Sequence, residues 1–222
     1  AMSRKRSVVI NQPSTYPARE FPGVLLSGFV ALDLEKSIWP RKHLAALRQI
    51  GYLIDVDSQK AKDDLDGLLD DLESTLKTRR MATAYFAEEA DWDYFQVVVT
   101  GTDRLQHFLW NAVVDKGDPR HDRALGYYAK VDDFIGKLWE RFHQGRSADN
   151  EGDGVLLLSD HGFCGQKKDI RLNAWLAEAG YLEYESEEPK NVSEIAAGTR
   201  AFALDPGRIY LNVRGRFAKG CV

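Results

Sequence analysis

Apolar residues recur along the chain in two rhythms. Short β-branched or aliphatic runs at residues 7–10, 24–29, 52–56, 94–100, 155–158 and 208–213 predict strands. Between them lie segments with helical spacing. Residues 41–50 carry Leu44, Leu47 and Ile50, with Pro40 at the start and Gly51 as the stop. Residues 61–90 place Leu65, Leu68, Leu69, Leu72 and Leu76 on one face and acidic side chains on the other. Residues 120–143 set Leu125, Tyr128, Val131, Ile135, Leu138 and Phe142 on one side, and residues 171–179 form a shorter helix ended by Gly180. Residues 145–153 are a polar loop, and the acidic stretch 183–193 reads as an exposed loop or linker. Strands alternating with helices predict one α/β domain over residues 1–222. Its sheet is expected to be mostly parallel, with helices on both faces.

Composition narrows what such a domain does. The chain has 222 residues, 44% of them hydrophobic, enough for a substantial core. A net charge of −4 leaves no basic surplus, which argues against binding a nucleic-acid polymer by bulk electrostatics, while a local phosphate site stays compatible. Two cysteines, Cys164 and Cys221, make no disulfide framework and point to a reducing, cytoplasmic setting. Apolar runs such as 155–158 are far too short to span a bilayer, which takes about 20 residues. The opening Ala1-Met2-Ser3 reads as an expression scar, and both ends read as cuts in a longer chain. Neither a Walker phosphate loop nor a dinucleotide-binding glycine fingerprint is present.

Two constellations carry chemistry. The first is Thr102-Asp103-Arg104-Leu105-Gln106-His107, directly after the apolar run 94–100. If a helix begins at Asp103, then Asp103 and His107 share a face and can bite one divalent cation. The plainer alternative is that Asp103 caps the helix and His107 packs beneath it. The second is Ser159-Asp160-His161-Gly162-Phe163, directly after residues 155–158. On a loop leaving a strand, Asp160 and His161 can converge on a metal, with Gly162 relieving the crowding. The alternative is an Asx-type turn with His161 on the surface. Two Asp/His pairs following two apolar runs point to one shared edge of a parallel sheet, where such sheets place ligands. His43, His121 and His143 lie in charged helical stretches and read as surface residues.

These two motifs, with Trp110, the segment Asn11-Gln12-Pro13-Ser14-Thr15-Tyr16-Pro17 and the stretch Gly207-Arg208-Ile209-Tyr210-Leu211-Asn212, resemble the type I phosphodiesterase/nucleotide pyrophosphatase family of the alkaline phosphatase superfamily. The resemblance implies an alkaline-phosphatase-like core, present in part, and a metal-dependent phosphoric ester hydrolase. Asp103 and His107 would hold one metal of a two-metal centre, and Asp160 and His161 the other. Zinc is the implied metal, with manganese as the second choice. The implied substrate is a small phosphate ester or a nucleotide. Cys164 has no ligand role in this pattern and reads as a reduced core thiol.

The family also uses a nucleophilic Thr or Ser and a further Asp ligand from an earlier segment, and another His from a later one. Thr15, Ser27 and Thr102 do not match the nucleophile's context. The chain therefore reads as an internal piece of a catalytic domain, with weak metal occupancy and no activity alone. Two alternatives stand beside it: a phosphomonoesterase or phosphomutase of the same superfamily, and a non-catalytic α/β binding module.

Overall fold

The structure is a computed structural model that describes residues 5–144, 154–189, 191–205 and 207–222. The opening Ala1-Met2-Ser3 and the polar loop 145–153 lie outside the described residues. The chain divides into two compact units, Ala1–Gly165 and Gln166–Val222.

In the first unit, strands β1 (Ser7–Gln12), β2 (Gly23–Ser27), β3 (Ile38–Trp39) and β4 (Tyr94–Val97) form a sheet of order β3-β2-β1-β4. β1 runs parallel to both β2 and β4, and the short edge strand β3 is antiparallel to β2. The helices are α1 (Leu44–Ile50), α2 (Leu65–Glu89), α3 (Gly101–Val114) and α4 (His121–His143). Gly51 ends α1 in the left-handed conformation at φ 67°, as its place after the last apolar residue predicts. Asp64 caps α2 by accepting from the Gly67 amide at 2.8 Å.

Period-2 alternation sends Val8, Ile10, Val24 and Leu26 to one side of the sheet. There they form a core with Ile38, Leu47, Tyr52, Ala82 and Phe86. α2 is long enough to serve a second core as well. Its Leu68, Leu69, Leu72 and Leu76 pack with Leu105, Leu109 and Ala112 of α3 and with Ala124, Tyr127, Val131 and Phe134 of α4. Val97 of β4, which pairs with Ile10, packs against both cores.

Three expectations change. Residues 52–56 are an irregular segment rather than a strand: the Leu53 amide donates to Thr78 Oγ1 and the Ile54 carbonyl accepts from Arg79, so side chains of α2 take the backbone groups a neighbouring strand would pair. Residues 155–158 also make no strand. Leu156, Leu157 and Leu158 are 72–78% exposed, so an apolar run alone did not secure a partner. The apolar stripe of α4 is rotated by one position. Ala124, Tyr127, Val131 and Phe134 are buried while Leu125 is exposed, because α2 meets the face carrying the small Ala124.

The second unit holds α5 (Leu172–Glu178) and an antiparallel pair, β5 (Ala201–Asp205) with β6 (Arg208–Leu211). β5 is a strand the sequence pattern did not predict. Asn173 pairs with it as a backbone group would, donating to the Ala203 carbonyl and accepting from its amide. The acidic stretch 183–193 falls in this unit. It turns back on itself through a Tyr184–Ile195 bridge and a bond from the Glu185 amide to the Glu194 carbonyl. Among the described residues no helix is long and apolar enough to cross a membrane.

Candidate metal centre

β1 and β4 run side by side, and their carboxyl ends are tied by the Asn11 side chain. Asn11 sits at φ 64°, a left-handed conformation that Asn tolerates, and its Nδ2 donates to the Val98 carbonyl at 3.4 Å. Residues 98–100 then lead into α3, so Asp103 stands in the first turn just beyond the carboxyl edge of the sheet. The entry is tight. Gly101 is buried, and a Cβ there would lie 1.8 Å from the Tyr127 hydroxyl oxygen. Burial pushes the Tyr127 phenol well above its ordinary pKa, so the hydroxyl stays neutral. Gly101→Ala is expected to destabilise the first unit by about 1–3 kcal/mol, the usual cost of overpacking. Thermal unfolding measures this, and an unchanged midpoint would show that the contact relaxes freely.

The helical spacing of Asp103 and His107 brings them together as expected, with Asp103 Oδ1 3.4 Å from His107 Nε2. The second motif lies against the same carboxylate. His161 Nε2 is 3.7 Å from Asp103 Oδ1 and 3.6 Å from Asp160 Oδ2. His107 and His161 thus both face the Asp103 carboxylate, while Asp160 contacts the adjacent His161. Exposure differs among them: the Asp103 side chain is 32% accessible, whereas Asp160 is 90%.

Aromatic packing holds the second motif on α3. His107 and Trp110 are three residues apart on one helix face, and Phe163 packs on both. Its ring meets His107 edge-on at 4.8 Å and stacks on Trp110 at 6.3 Å between centroids. The Gly165 backbone also lies close to the Trp110 indole. Within the loop, the Ser159 hydroxyl donates to the His161 carbonyl at 2.6 Å. The His161 Nδ1 is 3.1 Å from the Gly162 carbonyl. A carbonyl only accepts, so Nδ1 carries the proton there. In the neutral ring this leaves the Nε2 lone pair facing Asp103, the form in which imidazole ligates a metal.

Donor chemistry and spacing suit a divalent cation pairwise. Two donors at zinc-like distances and a tetrahedral angle lie about 3.4 Å apart, close to the Asp103–His107 and Asp160–His161 separations. Among the described residues, however, no group of three or more His, Cys, Asp or Glu side chains is placed to hold a metal ion. Each pair brings two donors.

Sequence reasoning passed over the residues behind this site. Asp55 accepts two bonds from the Arg104 guanidinium at 2.7 and 3.1 Å and another from the Thr100 hydroxyl at 3.4 Å. Arg104 lay in plain view beside Asp103, but nothing in the pattern signalled a partner 49 residues earlier. Two expectations are overturned nearby. Cys164 is exposed rather than a core thiol, since its loop turns Phe163 inward instead. His43 is buried, not on the surface. Its Nδ1 lies 2.9 Å from the Tyr85 hydroxyl, and burial, with Lys42 adjacent, holds its pKa below the ordinary value. The hydroxyls of Ser27 and Thr15 are spent on the Thr15 and Gln12 carbonyls.

A family model described as type I phosphodiesterase / nucleotide pyrophosphatase matches residues 6–219. No curated protein and no solved structure matches the chain.

Proposed function

This chain belongs to the type I phosphodiesterase/nucleotide pyrophosphatase family, and we propose that Asp103, His107, Asp160 and His161 are metal ligands of its phosphoric ester hydrolase site. The observation that carries this reading is the Asp103 carboxylate, which faces imidazoles from both motifs at 3.4 and 3.7 Å. Asp103 and His107 hold one divalent cation, and Asp160 and His161 a second, zinc or manganese. Bound there, such ions offset the charge of phosphoryl oxygens and activate a hydroxyl nucleophile. The protein's own part is to aim the ligands. The α3 turn aligns Asp103 with His107, Phe163 braces both imidazoles, and the Gly162 carbonyl sets the His161 tautomer.

The substrate on this reading is a small phosphodiester or nucleotide. The four ligands give two donors per ion, short of the three or four of a stable zinc site, so these residues bind metal weakly by themselves. The hydroxyls of Ser159, Thr100, Ser27 and Thr15 are each engaged with a backbone carbonyl or with Asp55. On the family's pattern, which draws the nucleophile from another segment, we assign it to a residue outside these 222 and expect the chain alone to be inactive.

The test compares bis(nitrophenyl) phosphate and nitrophenyl phosphate with added zinc or manganese. The 222-residue chain is expected to turn over neither above the metal-only background. A gene product joining it to the nucleophile should favour the diester. Robust metal-dependent turnover by the 222 residues would return the nucleophile to this chain, with Thr102 as the first candidate. A clear monoester preference would move the protein towards the phosphomonoesterase reading.

A further inference from the structure

We propose that the loop of residues 28–34, at the carboxyl end of β2, is the subsite for an apolar substituent of the phosphodiester, an aryl or alkyl group on the alcohol side of the phosphate. This rests on the reading of Asp103 and its neighbours as a phosphoric ester hydrolase site.

The loop leaves the sheet at the same edge as the turn that leads from β4 to Asp103, because β2, β1 and β4 are parallel. Parallel sheets place their ligands at that edge. On the loop, Phe29, Val30 and Leu32 are 43%, 60% and 85% exposed. Single exposed apolar side chains are ordinary, but three neighbours on one loop form a patch, and such patches mark binding surfaces.

The backbone holds this patch outward. The Gly28 amide donates to the Gln12 carbonyl at 2.8 Å, and a Cβ at Gly28 would lie 2.1 Å from the Asn11 carbonyl oxygen. The Ala31 amide closes a turn on the Gly28 carbonyl at 3.0 Å, and inside that turn Val30 stands at φ 75°. Glycine takes such an angle without strain. A β-branched residue there is an outlier, of the kind that persists at ligand sites where the surroundings fix it. The far end of the loop is clasped by Asp33, whose carboxylate accepts from the Tyr16 hydroxyl at 3.0 Å and the Lys36 amide at 2.8 Å. Leu34 then packs against the sheet core.

The neighbour of the patch defines what fits it. The Arg104 guanidinium lies over the Phe29 ring, 4.1 Å from its centroid, and its Nη1 stands 3.7 Å from Asp103 Oδ2. The patch therefore begins one side chain away from the candidate phosphoryl site, with a cation between them. An anionic diester with its phosphate beside Asp103 and an apolar group reaching over Val30 and Leu32 matches both features. A sugar or a further phosphate, which keeps its water, gains nothing from those two side chains.

The test compares dimethyl phosphate with diphenyl phosphate, which share the anion and differ in the apolar groups. Each is titrated into the 222-residue chain in zinc-containing buffer and followed by backbone amide NMR shifts. The ratio of the two affinities cancels what metal and phosphate contribute. Diphenyl phosphate is expected to bind at least about tenfold more tightly, since even one methylene in an apolar pocket is worth about 10–200-fold. It should shift the amides of residues 29–32 together with those of residues 103–107. In the Val30→Gly/Leu32→Ser variant the ratio should fall towards one. Both positions are exposed and glycine suits the angle at residue 30, so the unfolding midpoint should not drop. If it does, Leu32→Ser alone decides. Phe29 stays unaltered because Arg104 packs on it.

Equal affinities for the two esters, or a ratio that the variant leaves unchanged, overturn the subsite. Shifts at residues 103–107 with both esters would then leave the hydrolase reading standing. Shifts at residues 29–32 without any at 103–107 would put the phosphate elsewhere and remove that reading together with the subsite. Equal ester affinities with co-sedimentation on phosphatidylcholine vesicles, lost in the variant, would assign the loop to a membrane surface instead.

Discussion

Asp103→Ala is expected to weaken divalent-cation binding more than replacing any other of the four proposed ligands. The reason is geometric. Asp103 Oδ1 lies 3.4 and 3.7 Å from the imidazoles of His107 and His161, so its removal takes away the group that the two motifs share. His107→Ala, by contrast, leaves the contacts of His161 with Asp103 and Asp160 in place. Outer-shell partners already change affinity 10–100-fold, and a direct ligand should exceed that. In a gene product that carries the nucleophile, the same substitution should cost at least about 100-fold in diester turnover. Equilibrium dialysis against zinc and a nitrophenyl diester assay read the two effects. Retention of binding within a factor of two would remove Asp103 from the ligand set.

Phe86→Ala should produce the largest loss of stability available from a single truncation in the first unit. Phe86 is fully buried where α2 packs on the sheet, beside Val8, Ile10, Val24 and Leu26. Its ring also meets His43 and Tyr85 edge-on at 5.2 and 5.1 Å. Truncating such a phenylalanine costs about 3–5 kcal/mol, because transfer energy is lost and the cavity closes only in part. For a chain of this size the unfolding midpoint should fall on the order of 10 °C. Met81→Ala on the same helix is the comparison. Met81 is 45% exposed, and its replacement should stay within about 0.5 kcal/mol. Equal shifts for the two variants would mean that α2 does not pack on the sheet as described.

These expectations rest on α2, and α2 shows how far local pattern reaches. Its leucine stripe follows from helical spacing, while its start falls at Leu65, behind the Asp64 cap, rather than at residue 61. α4 obeys the same periodicity, yet its buried face is shifted towards Ala124 and Tyr127. Periodicity gives the existence of an apolar face. Which of two adjacent rows is buried depends on the partner helix.

Residues 155–158 and β5 mark the limit for strands. Four apolar residues in a row predict a strand whose neighbour must come from elsewhere in the chain, and here residues 155–158 remain exposed. Ala201–Asp205 carries weaker β character but has a partner nearby in the chain, with Ala203 opposite Ile209 six residues on and Phe202 opposite Tyr210 eight residues on.

The candidate site divides in the same way. Sequence by itself determined the Asp103–His107 pair, because a helix fixes residues four apart on one face, and it determined which residue types could ligate a cation. It also brought out the Asp160–His161 motif and the family to which the chain belongs. Only the tertiary structure decided that both motifs share the Asp103 carboxylate, that Phe163 braces both imidazoles, and that Asp55 reaches Arg104 across 49 residues of chain. Such contacts are set by how separate segments pack around α3, and spacing along the chain carries no record of that packing.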